Sequence, residues 1–387
     1  MPQATDRFLR KKLVIAGSGV IALIVAAAVS ITLLSGGAGA AGAPGAAAKK
    51  ICLNGSLHFD YRSAESGPGK PWKTKPVRNA NVELWGREGA LGSPRKLNTQ
   101  ALFTDVSNGG FQACYTPETP RSMERMWVRV SAESSKLWKV TNGSGATFTW
   151  NSPVQKAVSG SRSLGARKPP SGDMRAWHAF DTANELWWKR GNPKSNCWSP
   201  GETDNTTCTE LAMRWDSSAP SDALYDPQHN TVHLDGDVPD SEHTVLHESA
   251  HFLQHRLFGG WFPQTTRCRT HWVDQASSET CAWTEAFADS AAAYVLGDYR
   301  YVGSNGMAID FAHGSTYDDG DTVQGNVGGS LLDLWRTVDG GTWNRTIALL
   351  STHKVSTFRE YFALRPTAHL VTDSKARQIL RNHTINY

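Results

Sequence analysis

The sequence lacks the features that identify several common functional classes. Of its 40 basic and 36 acidic residues, four basic and one acidic lie in residues 1–48, which leaves 36 basic residues against 35 acidic ones. No excess of positive charge therefore remains for binding nucleic acid. The sequence also contains no phosphate-binding loop, nucleophile elbow or sustained internal repeat. These absences argue against nucleotide-dependent enzymes, α/β-hydrolases and repeat proteins.

Cysteine is scarce, with six residues in 387, and none forms a Cys-x-x-Cys motif that would indicate a cysteine-bound zinc. Six cysteines allow 15 disulfide connectivities. Proximity in sequence favours three disulfides, which would form in an oxidising compartment. The predicted couples are Cys52 with Cys114, Cys197 with Cys208, and Cys268 with Cys281.

An apolar run at residues 13–34 follows Arg7, Arg10, Lys11 and Lys12, and Ala- and Gly-rich sequence continues to residue 48. Basic residues before an apolar run indicate an export signal. With 22 residues the run is long enough to cross a bilayer as a single-pass helix with its N-terminus in the cytoplasm. Cleavage in the Ala-rich stretch would instead give a secreted protein. Both alternatives predict that the rest of the chain works outside the cytoplasm.

The segment His247-Glu248-Ser249-Ala250-His251 has the spacing of a metal-binding helix. Asp240 or Ser241 provides a helix start and Gly259-Gly260 a helix stop, so the segment lies within a predicted helix. Two histidines four residues apart lie on one face and can bind one zinc ion, and Glu248 is placed to act as general base. His243 and His255 continue the same row, and we expect them to be polar rim or supporting groups.

A catalytic zinc usually has three protein ligands. The Ala-rich run from Glu279 to Leu296 predicts a second helix, on which Glu285 and Asp289 lie one turn apart. Glu285 could therefore bind zinc while Asp289 accepts the second N–H of a ligand histidine. The alternative is that both are solvated surface acids.

At these residues the sequence resembles the gluzincin zinc metallopeptidases, which carry a His-Glu-x-x-His helix and a third-ligand Glu on a later helix. The resemblance implies one zinc per chain, bound by His247, His251 and Glu285 and supported by Asp289. It also implies a zincin-like α+β domain, whose small sheet has an edge strand that pairs with an extended peptide. We expect Thr231–Leu234 to be that edge. The metzincin pattern does not fit, because Gln254 and Leu257 replace its Gly and its third His.

The predicted chemistry is hydrolysis of a peptide bond by water that zinc activates and Glu248 deprotonates. Candidates for stabilising the oxyanion are His313, Tyr317 and Arg336, each of which could equally be structural. A cluster of Asp318, Asp319 and Asp321 could bind Ca²⁺, although the spacing is not that of an EF-hand and a solvated acidic loop is favoured.

The remaining chain predicts an α+β multidomain protein. Residues 49–152 show short alternating strands typical of an all-β sandwich, and the runs 55–59, 77–85 and 104–111 resemble transthyretin-like modules. Residues 153–172 have the Ser, Gly, Arg and Pro content of a linker. A helix over Asp173–Arg190, with Trp177, Phe180, Leu186, Trp187 and Trp188 as core, begins the zincin-like domain at 173–387.

The sequence therefore predicts an extracytoplasmic zinc endopeptidase that acts on peptides or proteins. The alternative is a surface adhesion or cell-wall-binding protein in which the zincin-like domain is structural or degenerate. Glu248 favours catalysis, because a purely structural zinc site does not need a general base.

Overall fold

The computed structural model describes residues 49–118, 122–191, 195–202 and 208–387, which belong to one unit, Ala47–Tyr387. The predicted export signal at residues 1–48, with its apolar run at 13–34, lies outside the described residues. Within them, no helix combines the length and apolar character needed to cross a membrane.

Strands dominate the described part of residues 51–167, as alternating apolar residues predict. In one strand Val82 and Leu84 are fully buried while Asn81 and Glu83 are partly exposed, which is the two-residue period of a half-buried strand. The strands are β1 (Ile51–Arg62), β2 (Trp72–Pro76), β3 (Asn81–Arg87), β4 (Arg95–Lys96), β5 (Gly110–Tyr115), β6 (Met123–Ser131), β7 (Glu133–Ser134), β8 (Trp138–Thr141), β9 (Thr149–Asn151), β10 (Gln155–Val158) and β11 (Arg162–Arg167).

All of these strands except β7 and β8 form two sheets whose apolar residues share a hydrophobic core. In the first sheet, β1 pairs with β2 and β5 in antiparallel fashion and with β11 in parallel. In the second, β6 pairs with β3, β9 and β10, and β3 pairs with β4. The sheets agree with the predicted all-β character, and the transthyretin-like assignment stays a prediction.

The linker predicted at residues 153–172 contains β10 and β11. Val158 and Leu164 are buried, so these strands complete the two sheets and the segment is not a free connector. Part of the composition that suggested a linker, Arg162, Ser163, Gly165 and Arg167, occupies exposed positions of β11 around the buried Leu164.

A third sheet joins the first half of the chain to the second. It contains β12 (Leu211–Asp216), β13 (Ala223–Asp226) and β14 (Thr231–Asp235) in the order β13-β14-β12-β8-β7. Strands β7 and β8 come from the predicted β-sandwich segment 49–152, so the predicted division between the halves cuts through a sheet. The expected edge at Thr231–Leu234 is also wrong, because β14 lies inside the sheet and β13 is its edge among the described residues.

Helices make up most of the second half. Ser241 and Ser278 accept hydrogen bonds from the first turns of α2 (Glu242–Leu257) and α3 (Glu279–Leu296), and Gly297 ends α3 with a φ of 69°. Helix α3 packs between α2 and α4 (Gln324–Thr337). The remaining elements are α1 (Met174–Lys189), α2 (Glu242–Leu257), α3 (Glu279–Leu296), β15 (Arg300–Val302), β16 (Ala308–Asp310), α4 (Gln324–Thr337), α5 (Asn344–Leu350), α6 (Phe358–Leu364) and α7 (Ser374–Asn382).

Disulfides and aromatic residues stabilise this arrangement. The three disulfides pair the cysteines as predicted, Cys52–Cys114, Cys197–Cys208 and Cys268–Cys281. In α1 the predicted core residues are buried except Trp188, which is 61% exposed.

Candidate active site

Helices α2 and α3 bring His247, His251 and Glu285 together. The Nε2 atoms of the two histidines lie 3.1 Å apart, and they lie 3.1 and 3.2 Å from Glu285 Oε2. The histidines are on one face of α2 because four residues separate them, and Glu285 faces them from the second turn of α3. All three side chains are nearly buried.

His247, His251 and Glu285, which we call the metal-binding set, have the donor atoms that a metal ion requires. His247 Nδ1 lies 2.6 Å from Asp289 Oδ1 and donates to it, so when the ring is neutral its hydrogen is on Nδ1 and Nε2 presents a lone pair. Ligand atoms bound at about 2.0–2.1 Å to a tetrahedral zinc lie about 3.4 Å from one another. The observed separations of 3.1 to 3.2 Å are close to that value. Two histidines and one carboxylate are also a donor set that zinc uses in catalytic sites.

Asp289 holds the orientation of His247. Its carboxylate also accepts hydrogen bonds from His243 Nε2 at 3.2 Å and from Gln324 Nε2 at 2.5 Å. Burial by itself raises the pKa of Asp289, but the charge of His247 and the hydrogen bonds from His243 and His247 outweigh it and lower the pKa. Asp289 therefore stays an acceptor, and His243 has the supporting position that its place in the histidine row predicts.

Glu248 lines the cleft beside the two histidines. Its side chain is nearly buried, and burial raises the pKa of its carboxyl, an effect that the neighbouring imidazoles of His247 and His251 partly offset. A carboxylate with a raised pKa next to a metal-binding set is suited to taking a proton from water. His255, by contrast, is not in the metal-binding set. Its Nδ1 lies within hydrogen-bond distance, 2.7 Å, of the Tyr225 hydroxyl.

The cleft in front of these residues has a volume of about 570 Å³. Strand β13 forms one wall of this cleft. Among the residues that the structure describes, no Lys or Arg lines it. Asp235 N donates a 2.9 Å hydrogen bond to Asp222 O, so these two residues are a hydrogen-bonded pair of the antiparallel β13–β14 ladder. In such a ladder every second pair along the strand is hydrogen-bonded. Leu224 and Asp226 therefore bond to β14, whereas the backbone groups of Ala223 and Tyr225 point away from it. This edge can pair with an extended peptide.

His271 is a cleft residue that the sequence analysis missed. Its Nδ1 lies 2.9 Å from Gln324 Oε1, and its Nε2 lies 3.8 Å from Glu285 Oε2. Because the Gln324 amide nitrogen donates to Asp289, the amide oxygen must face His271, and His271 Nδ1 must be the donor. His271 Nε2 is then directed towards the metal-binding set. The adjacent Trp272 is 57% exposed and lines the same cleft.

The predicted oxyanion donors do not line this cleft. His313 bonds to Asn326 at 2.9 Å, the Tyr317 hydroxyl donates to Asp310 O, and Arg336 pairs with Asp333 at 2.6 Å. These partners engage the polar atoms of His313 and Tyr317 in the segment before α4 and of Arg336 on α4 itself.

The acidic cluster does not form a calcium site either. Asp318 accepts a hydrogen bond from Ala276 N at 2.8 Å, and Asp321 accepts one from the Tyr387 hydroxyl at 2.6 Å. The Asp319 side chain is 83% exposed. Among the described residues, the groups that could hold a metal ion are those built around His247.

Comparison with known families identifies the chain. Residues 52–176 match the mycolysin middle domain, and residues 190–384, half of the chain, match the mycolysin C-terminal domain. A comparison with curated proteins gives no match. The second matched segment contains the metal-binding set and the cleft in front of it. The chain therefore belongs to the mycolysin family, which is consistent with a metal-dependent peptidase.

Proposed function

We propose that the protein is an extracytoplasmic, zinc-dependent endopeptidase. The observation that carries this proposal is the convergence of His247, His251 and Glu285 within 3.2 Å of one another, with Glu248 beside them in a cleft. Membership of the mycolysin family supports a peptidase. The donor set favours zinc over Ca²⁺ or Mg²⁺, which prefer oxygen ligands.

The residues of the site then have distinct roles. When bound, zinc supplies a Lewis acid that polarises the scissile carbonyl and lowers the pKa of water. Glu248 takes a proton from the attacking water and delivers it to the leaving amine. Asp289 keeps the His247 ring in the tautomer whose Nε2 can bind metal. His271, directed at the same space by Gln324, is the residue we propose for donating a hydrogen bond to the oxyanion, which requires a proton on Nε2 as well as on Nδ1.

The cleft also supports a substrate class. An extended peptide can pair with the backbone of Ala223 and Tyr225 along β13. Among the described residues no Lys or Arg lines the cleft, so a C-terminal carboxylate has no ammonium or guanidinium partner there, which favours cleavage within a chain over removal of its last residue. The three disulfides and the predicted export signal at residues 1–48 support action outside the cytoplasm.

The test uses residues 49–387 produced under oxidising conditions. We expect about one zinc per chain and cleavage of a denatured protein at internal bonds. Glu248→Gln should retain the zinc and lower kcat by at least about a thousandfold, since it removes the general base. Glu202→Gln, which alters a carboxylate paired with Arg256 outside the metal-binding set, is the matched control and should keep wild-type activity.

A folded protein that binds no zinc would overturn the proposal. So would a Glu248→Gln variant that cleaves protein at the wild-type rate. An active protein that releases only terminal residues would contradict the endopeptidase assignment and leave the metal site unchanged.

A further inference from the structure

The loop between β1 and β2, residues 63–71, reaches from the first sheet to the active-site helix. The loop is internally braced by backbone hydrogen bonds from Ser63 N to Pro71 O at 3.1 Å, from Gly67 N to Ala64 O at 2.9 Å and from Lys70 N to Gly67 O at 2.9 Å. A loop closed by its own hydrogen bonds has little conformational freedom to lose, so it can fix the position of what it contacts. We call it the β1–β2 loop.

The first contact is at the start of α2. Glu65 Oε1 accepts a 3.0 Å hydrogen bond from the backbone N–H of His243, one of the first-turn N–H groups that have no partner within the helix. A carboxylate at this position is also favoured by the helix dipole. His243 is one turn before the metal-binding His247 and its ring bonds to Asp289. Glu65 therefore anchors the same turn that orients the metal ligand.

The second contact is with the 3-10 turn Val238–Asp240, immediately before α2. Lys70 Nζ lies 3.0 Å from Asp237 and 2.8 Å from Asp240, and the Asp240 carboxylate is almost fully buried. Arg175 of α1 bonds to the other side of Asp240 at 2.8 Å. The β1–β2 loop thus fixes both the backbone that leads into α2 and its first turn.

The third contact is with the β15–β16 hairpin, which carries three residues that line the cleft, Tyr301, Ser304 and Ile309. Arg300 Nη2 donates to the backbone oxygen of Glu65 at 3.4 Å. At the hairpin turn, a Cβ on Gly306 would lie 2.5 Å from Gly67 O, and the φ of Gly306 is +77°. Only glycine permits this approach and this backbone conformation. The loop therefore contacts both the metal-binding helix and one wall of the cleft.

We propose that the β1–β2 loop is a positioning element of the active site, with Glu65 as its central residue. The proposal rests on the proposed peptidase function for its kinetic consequence. The proposal gives the N-terminal sheets a role in catalysis. Through the β1–β2 loop they hold the first turn of α2 and the β15–β16 hairpin at the separation that the cleft requires. Glu65 touches no reacting atom and acts through His243 and the helix start.

The test compares Glu65→Ala with Glu65→Gln. Gln keeps a neutral acceptor for His243 N and should retain wild-type kcat and zinc affinity within about twofold. Ala removes the acceptor of the His243 N–H, so the first turn of α2 keeps its Ser241 cap but loses this second bond and is freer to shift. Since a misplacement of about 1 Å costs on the order of a hundredfold in rate, we expect kcat to fall about tenfold or more. KM should change less than kcat, because the Glu65 carboxylate bonds to the start of α2. Zinc affinity, measured by competition with a chelator, should fall several-fold.

A destabilised control separates positioning from stability. Val82→Ala removes buried methyl groups from β3, which lies in the second sheet whereas β1 and β2 lie in the first, and should lower the melting temperature without changing kcat of the folded enzyme. The proposal is overturned if Glu65→Ala keeps wild-type kcat and zinc affinity, or if Val82→Ala lowers both as much. If the wild type cleaves no peptide, the proposed function fails, and the chelator competition alone then decides whether Glu65 positions the site.

Discussion

His247 Nδ1 lies 2.6 Å from Asp289 Oδ1, and this one hydrogen bond determines what the opposite ring nitrogen can do. It fixes the tautomer in which Nε2 has a free lone pair, and it holds the plane of the ring. His243 and Gln324 bond to the same carboxylate, so its position is determined from three sides. The orientation of His247 in the metal-binding set therefore depends on Asp289, His243 and Gln324, which are outside that set.

We expect Asp289→Asn to weaken zinc binding by about 10- to 100-fold. The amide keeps the volume of the carboxylate but has one acceptor oxygen and no charge, so it cannot serve His247, His243 and Gln324 together. Zinc affinity measured by competition with a chelator checks this outcome, and peptidase activity at limiting zinc should fall in parallel.

Asp333→Asn is the matched control, because Asp333 accepts a 3.0 Å hydrogen bond from His383 in the same half of the chain. It disturbs a histidine–carboxylate pair that is not connected to the metal-binding set, and zinc affinity should not change. Equal losses of affinity in the two variants would mean that Asp289 stabilises the fold in general and has no specific effect on His247.

His247, Glu248 and His251 could be predicted as site residues from the sequence, because residues four apart on a helix lie on the same face. The same argument selected Glu285 and Asp289 on a second helix, and the structure brings both to the first. It could not reach His271, which lies in an irregular segment where no period predicts direction. The available signal was the couple Cys268 and Cys281, which ties this segment to α3 one turn before Glu285.

At the scale of elements, helices α1, α2 and α3 lie where capping residues and apolar spacing predict them. Strand order was harder to predict. Strand β13 is an edge of the third sheet because β14, which follows it in the chain, lies between β13 and β12, and the sequence of β13 gives no sign of this. Order in a sheet is set by contacts between distant segments, which local patterns do not encode.

The segment between α2 and α3 depends on the Cys268–Cys281 disulfide. Changing both cysteines to Ser should lower the free energy of unfolding by about 3 kcal/mol, as expected for a loop of this length. It should also lower kcat/KM, because the freed segment carries His271 and Trp272, which line the cleft. Zinc should be retained, since His247, His251 and Glu285 stay on their helices. Steady-state kinetics below the melting temperature and metal analysis measure these effects.

The Cys52–Cys114 disulfide provides the comparison. It joins β1 to β5 in the first sheet, far in sequence from the cleft segment. Replacing both cysteines with Ser should destabilise the protein but leave kcat/KM of the folded enzyme unchanged. If both double variants lose activity equally, stability alone explains the loss and the disulfide has no role in holding the cleft.

For the molecule as a whole, the two halves were predicted as separate domains joined by a linker. Composition suggested this because Ser, Gly, Arg and Pro are typical of linkers, and a short strand such as β11 can contain several of these residues at its exposed positions. The structure instead pairs β8 with β12 in parallel and buries Trp138 of β8 against α1, where its indole nitrogen donates to Phe180 O at 3.2 Å. Arg78 of the first half forms an ion pair with the fully buried Asp181 of α1 at 2.5 Å.

Residues 49–387 should therefore unfold in a single cooperative transition. A substitution in either half removes buried surface from a connected core, so Leu84→Ala in β3 and Leu331→Ala in α4 should each lower the free energy of unfolding of the whole unit by about 2–5 kcal/mol. Calorimetry, near-ultraviolet circular dichroism and zinc release should report the same midpoint for each variant. Because zinc binds only the folded site, excess zinc should raise that midpoint for all three measurements together. Two separate transitions, with zinc release following only one and Leu84→Ala moving only the other, would show that the halves fold independently despite their shared sheet.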